Sequence, residues 1–155
     1  MKKLTAFSLA LALCAALSTP ALAADVTDKS NPKTQDVTIQ TSIAPSYTVT
    51  IPANVAVTFN NPDTKFGEIK LSAAQLDPGK AVNVALNASG TLKNKVDENK
   101  TIAYTIKSGD DEFTSADFTT AGSNTALTIH IDQDAWNKAA AGSYADTVTF
   151  TISYE

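Results

Sequence analysis

The chain has 155 residues, 43% of them hydrophobic and 18% charged, with twelve lysines, no arginine, sixteen acidic residues and a formal net charge of -4. An acidic chain without arginine argues against nucleic acid and anionic membrane surfaces as partners, since both favour basic patches. Its one cysteine, Cys14, cannot build a disulfide framework, so the fold must rest on a packed core.

Met1 to Ala23 reads as an export signal. Lys2 and Lys3 supply the positive start, Leu4 to Leu17 the apolar run, and Ala21-Leu22-Ala23 a small-x-small cleavage site, with cleavage predicted after Ala23. A retained membrane span is the alternative, but Ser18-Thr19-Pro20 interrupts the run before it reaches about 20 apolar residues. A lipoprotein signal would need a small residue before Cys14, and Leu13 stands there. About 132 residues remain, the size of one domain, with ten lysines facing all sixteen acids. No stable membrane span is predicted in this mature chain. No further hydrophobic span or sorting motif follows, which predicts a protein that is secreted, periplasmic, or held at the cell surface without a covalent anchor.

Residues 24–35 are polar and read as a flexible leader. From 36 to 155 the sequence predicts a single domain of short strands. Asp36 to Ile43 alternates, with Val37, Ile39, Thr41 and Ile43 on one face, until Pro45 breaks it. Tyr47 to Ile51 and Val55 to Phe59 are the next two predicted strands, separated by Pro52 and followed by the turn Asn60-Asn61-Pro62-Asp63. Phe66 to Ala73 is predicted to pair at a sheet edge. After the turn Leu76-Asp77-Pro78-Gly79, Lys80 to Ala88 alternates through Val82, Val84 and Leu86.

Ser89 to Lys100 is polar, a loop or long hairpin tip. Thr101 to Ser108 is a strand; Gly109 to Ser123 reads as irregular, with Phe113 and Phe118 plugging the rim of the core. Ala126 to Asp132 is another strand, and Trp136 with Ala139-Ala140-Ala141 a short connection of about one helical turn. The chain closes on Thr147 to Tyr154, where Val148, Phe150, Ile152 and Tyr154 share one face and Thr147, Thr149, Thr151 and Ser153 the other. Short strands, frequent turns and no sustained helical period predict an all-β, Ig-like antiparallel β-sandwich of about seven to nine strands.

The residues offer little for catalysis. His130 is the only histidine, turned outward by strand parity, and without a second His or a mature Cys it is no metal ligand. No serine lies in a nucleophile-elbow motif. Asp110-Asp111-Glu112 with Asp117, and Asp132 with Asp134, do not match a calcium loop and read as solvated acidic loops. Asn87-Ala88-Ser89 and Asn99-Lys100-Thr101 fit the short glycosylation pattern, which carries little weight. Paired carboxylates for glycoside hydrolysis need a cleft that sequence does not reveal. No catalytic residue, metal or cofactor is predicted, and the protein reads as a non-enzyme. Trp136 is the candidate for stacking on a sugar; packing as a cap on the sandwich is the reading preferred for it.

The closing stretch Ala140-Ala141-Gly142-Ser143-Tyr144-Ala145-Asp146-Thr147-Val148-Thr149-Phe150-Thr151-Ile152 resembles the A-G-x-Y-x-D-x-V-T-V-T-V ending of the spore coat protein U and fimbrial-subunit families. That resemblance is confined mainly to the C-terminal end of the chain. It implies a secreted Ig-like sandwich that builds surface fibres, although many members carry a disulfide and this chain has no cysteine after Cys14. It also implies a role for Val37, Ile39, Thr41 and Ile43, as a strand completing a neighbour's sheet. The plainer reading, preferred on sequence, makes them the first strand of the chain's own sandwich. The function expected is that of a bacterial surface structural or adhesive protein, non-catalytic, assembling with itself or a surface partner. A carbohydrate-binding module using Trp136, Tyr47, Tyr104 and Phe113, and a small secreted hydrolase, are the alternatives.

Overall fold

A computed structural model describes residues 25–155; the predicted signal and Cys14 lie outside the described residues. The chain divides into two compact units, Met1–Thr41 and Ser42–Glu155. The described part of the first unit holds no helix or strand. It includes a turn in which Ser30 N–H donates to Thr27 O at 3.1 Å and Thr27 N–H to Ser30 Oγ at 3.0 Å.

Among the described residues, the strand predicted over Asp36 to Ile43 is not present. Val37 and Ile39 stand 81% and 93% exposed, and Ile43 64%. Alternation marks a segment fit for a sheet, but a strand also needs backbone partners, and these residues pair with no strand among the described residues.

The second unit contains eleven strands and one short helix. In chain order these are β1 (Ser46–Thr50), β2 (Asp63–Gln75), β3 (Val82–Asn87), β4 (Thr91–Asn94), β5 (Thr101–Ala103) and β6 (Thr105–Ser108). Then follow β7 (Asp111–Glu112), β8 (Ser115–Phe118), β9 (Asn124–His130), α1 (Gln133–Lys138), β10 (Tyr144–Ala145) and β11 (Thr149–Tyr154). All pairings are antiparallel. One sheet has the order β1-β2-β9-β6-β7, a second β11-β3-β8 and a third β10-β4-β5. Ile69, Leu71, Leu127 and Ile129 from the first, Val82, Val84 and Phe118 from the second, and Ile102 from the third meet in one buried cluster. The expected all-β sandwich is the observed fold.

The second and third sheets are one interrupted ribbon. The β11–β3 pairing runs from Tyr154↔Val82 to Thr149↔Asn87, and resumes as Ala145↔Lys93 and Tyr144↔Asn94. Between the two stretches, Ala88 to Leu92 faces the shorter run Asp146 to Val148 without ladder pairing to it. Tyr104 marks the place where the β5–β6 run changes sheets, a common way to turn a corner in a sandwich. Its N–H donates to Gly90 O at 2.9 Å.

Several sequence expectations need correction. Phe66 to Ala73 belongs to β2, which is flanked by β1 and β9 rather than lying at an edge, because Ile69 and Leu71 are fully buried and demand cover. A bulge between Lys65 and Gly67 bends β2; Gly67 takes φ +134°, and a Cβ there would sit 3.2 Å from Pro52 Cβ. Phe113 and Phe118 are core members, 6% and 3% exposed, and the stretch read as irregular contains β7 and β8. Val55 to Phe59, read as a strand, has no sheet partner.

Candidate functional site

The terminal strand carries the apolar face that its alternation predicts, but that face is only half covered. Phe150 and Tyr154 are partly buried and Ile152 is 38% exposed. The cause lies in the topology. β11 has β3 on one side and no strand on the other, and β1, at the edge of the five-stranded sheet, is likewise paired on one side only.

Side chains show that these two edges run alongside each other. Tyr47 of β1 stacks on Tyr154 of β11, ring centroids 6.0 Å apart. Further along, Phe66 and Phe150 lie 6.1 Å apart. Beyond that point the walls separate around a cavity of about 1100 Å³. One wall is Ile51 to Val57 with Phe59, the other runs from Tyr144 to Phe150, and the floor includes Leu92, Ile102, Tyr104, Ile106 and Ile129. Trp136 and Phe59 meet edge-to-face at the far end, 5.5 Å apart. The stretch after β1 therefore runs toward Trp136, while the terminal strand runs away from it.

The first wall is unusual. Residues 51–57 make no backbone hydrogen bond to other backbone among the described residues, and Ile51, Val55 and Phe59 are 44%, 39% and 73% exposed. An apolar, extended segment with free N–H and C=O groups faces the free edge of β11 across a largely apolar floor. Unpaired backbone edges of this kind are templates for another strand.

The opposite wall is held by polar contacts. Asp146 Oδ2 accepts from Tyr104 Oη at 2.6 Å and from Ser89 Oγ at 2.7 Å, and Asp146 Oδ1 accepts from Thr147 N–H at 2.8 Å. These bonds close the interruption of the β3–β4 ribbon. Desolvation works to raise the Asp146 carboxyl, but the Tyr104, Ser89 and Thr147 hydrogen bonds outweigh it and hold it below the usual carboxylate range. Burial first, then the Asp146 carboxylate, pushes the Tyr104 phenol well above its ordinary value. Tyr104 is thus a neutral donor to a charged acceptor at any ordinary pH.

Trp136 is buried at the far end of the cavity. It is 7% exposed, Phe59 covers it edge-on, and its Nε1–H donates to Asn61 O at 3.2 Å. The stacking role considered for it needs an open ring face, and this ring is largely enclosed. Tyr104 and Phe113 are also buried, 8% and 6% exposed. His130 is less ordinary than parity suggests: Nδ1 lies 2.7 Å from Asp63 Oδ1 and Nε2 3.3 Å from Asp132 Oδ1. No hydroxyl or thiol nucleophile shares a hydrogen bond with it among the described residues. No group of three or more metal-ligating side chains occurs among the described residues. No helix there is long and apolar enough to cross a membrane.

No protein-family model matches the chain. No curated protein matches it. Among solved structures, one similar chain comes from work described as "Chaperone-tip adhesin complex is vital for synergistic activation of CFA/I fimbriae biogenesis". The two share 11% identity at a TM-score of 0.46, over 68% of the present chain and 41% of that one. The present chain therefore spans about two fifths of that chain's length.

The groove was not legible as a groove in the sequence, but its parts were. Val55 to Phe59 and Val148 to Tyr154 both alternate; what sequence hides is that neither receives a partner on the side facing the other.

Proposed function

We propose that this protein is an exported, non-catalytic structural subunit that assembles at the bacterial surface by strand addition. The observation that carries this reading is the groove between residues 51–59 and β11, largely apolar and lined by unpaired backbone. Its occupant is the segment Asp36 to Ile43 of a second copy. That segment alternates Val37, Ile39, Thr41 and Ile43, is exposed, and forms no strand of its own. Eight residues in a strand reach about 26 Å, a length suited to a groove of this kind.

The chain's own segment is kept from turning back beside β1. Only Ala44 and Pro45 separate Ile43 from β1. A two-residue hairpin loop needs φ > 0 at its first position, where Ala44 is disfavoured by its Cβ and by the proline that follows. Pro45, whose ring holds φ negative, cannot be the second residue of a type I′ turn. One donor segment and one separate acceptor groove per copy make a head-to-tail contact, which generates filaments when it does not close. The resemblance of the C-terminal stretch to fimbrial and spore-coat subunits supports the same reading.

Size-exclusion chromatography with light scattering, and electron microscopy, test it on the chain starting at Ala24. Concentration-dependent oligomers or fibres are expected, and Ile39→Asp removes them while leaving the circular dichroism spectrum unchanged. A strict monomer at all concentrations, or oligomers indifferent to Ile39→Asp, contradicts it.

A further inference from the structure

The groove is not the same at its two ends. At the Tyr47–Tyr154 end two rings bridge the edges, and Tyr154 is fixed in place: Asp77 N–H donates to its Oη at 2.8 Å, and the Oη–H reaches Asp77 Oδ2 at 3.0 Å. Next to it the ends of β3 and β11 are zipped, Ala81 N–H to Glu155 O and Glu155 N–H to Ala81 O, both 2.9 Å. The cavity stops at Phe66 and Phe150; Ile152, Tyr154 and Tyr47 do not line it. At the other end Phe59 stands 73% exposed on a wall without backbone hydrogen bonds.

We infer that the stacked Tyr47–Tyr154 pair is an end stop that fixes the register of the incoming strand, setting Val37 beside Ile152, Ile39 beside Phe150, Thr41 beside Val148 and Ile43 beside Asp146. This rests on the strand-addition reading above and deepens it. The direction follows from the linker. The donor's own sandwich begins directly after Ala44–Pro45, so Ile43 must lie at the open end, by Phe59 and Trp136. The donor then runs from the Tyr pair toward Trp136, opposite to β11, and pairs with it antiparallel.

The register follows from where the space is. Antiparallel neighbours on one face recur every second residue, so the donor can slide only in steps of two without turning its apolar side chains outward. In the assigned register Ile39, Thr41 and Ile43 fall within the 144–150 stretch that lines the cavity, and Val37 covers Ile152, the most exposed apolar residue of β11. Sliding two residues toward Tyr154 drives Val37 into the Tyr pair. It also brings Pro45, which has no N–H to donate, to the wide end where Ile43 would pack.

Cysteine cross-linking reads the register directly, because the chain from Ala24 contains no cysteine of its own. Gln40, Thr149 and Thr151 are exposed, and the substitutions leave the groove's apolar face intact. Gln40→Cys protein carrying a mass tag is mixed in denaturant with either Thr149→Cys or Thr151→Cys protein, refolded, and oxidised; mixed dimers are read on a non-reducing gel. The assigned register places Gln40 opposite Thr149, so that pair should link at least about fivefold more than Gln40 with Thr151, which lies beyond disulfide reach. Tyr47→Ala should raise the Thr151 product by opening the stop; Tyr154→Ala serves as a second variant should the first fail to fold. Preferential linkage to Thr151 in the unaltered groove, or a product ratio indifferent to both tyrosine variants, overturns the end stop while strand addition survives. Absence of any mixed dimer, with no concentration-dependent assembly, overturns both.

Discussion

β3 and β11 are partners in one sheet and carry the same alternation, yet they end in different states. Val82 and Val84 of β3 are fully buried, whereas Ile152 of β11 is 38% exposed and Phe150 half-buried. Sequence composition does not explain the difference, since both strands present branched or aromatic residues to the same side. Position does: β3 lies between β11 and β8, while β11 has a neighbour on one side only. Other sheet edges occur at β5, β7, β8 and β10; the unfinished line that borders the large, mainly apolar cavity lies between the last strand and the stretch after β1.

The contrast can be broken at its sealed side first. Leu71, fully buried in the five-stranded sheet, should cost about 3 kcal/mol when cut to alanine, through lost burial and the cavity left behind. Urea unfolding of the monomeric protein measures it. Tyr104→Phe removes a hydrogen bond to a charged acceptor and should cost about 1.5 kcal/mol in the same assay. Ile152→Ala, on the half-open face, should cost the monomer about 1 kcal/mol or less, because much of that side chain already meets water. Ile39→Asp should change monomer stability by less than about 0.5 kcal/mol, as surface substitutions do, while abolishing assembly. If Ile152→Ala matched Leu71→Ala, the groove would be sealed and the contrast false.

Acid sharpens the same boundary. The folded-state carboxyl of Asp146 lies below its ordinary value, so its contribution to stability is present above the unfolded carboxylate range near pH 4. It is lost as pH falls through the lower folded value. Asp146→Asn should flatten that part of the acid limb in a pH series of urea midpoints. An unchanged acid limb would mean that the wall is not held by this carboxylate.

Much of the sandwich could be read from alternation: β1, β3, β9 and the terminal strand appear within a few residues of their observed bounds, and α1 as a short connection. Period-two patterning reports that a segment suits a sheet. It does not say whose sheet, which is why Asp36 to Ile43 and Val55 to Phe59 read as strands and stand unpaired. Sequence also missed that Tyr104 and Asp146, 42 positions apart, would meet across the corner, because such a contact exists only once the ribbon folds over. The burial of Trp136 was legible for a simple reason: large aromatics usually supply buried area.

The central claim is that the unfinished line is completed by residues 36–43 of another copy. Amide hydrogen exchange on the chain from Ala24, at low and high protein concentration, tests it most directly. The account predicts that residues 36–43 and 149–154 gain protection together as concentration rises. Fast exchange across 36–43 at every concentration, with protection of 149–154 unchanged, would contradict it.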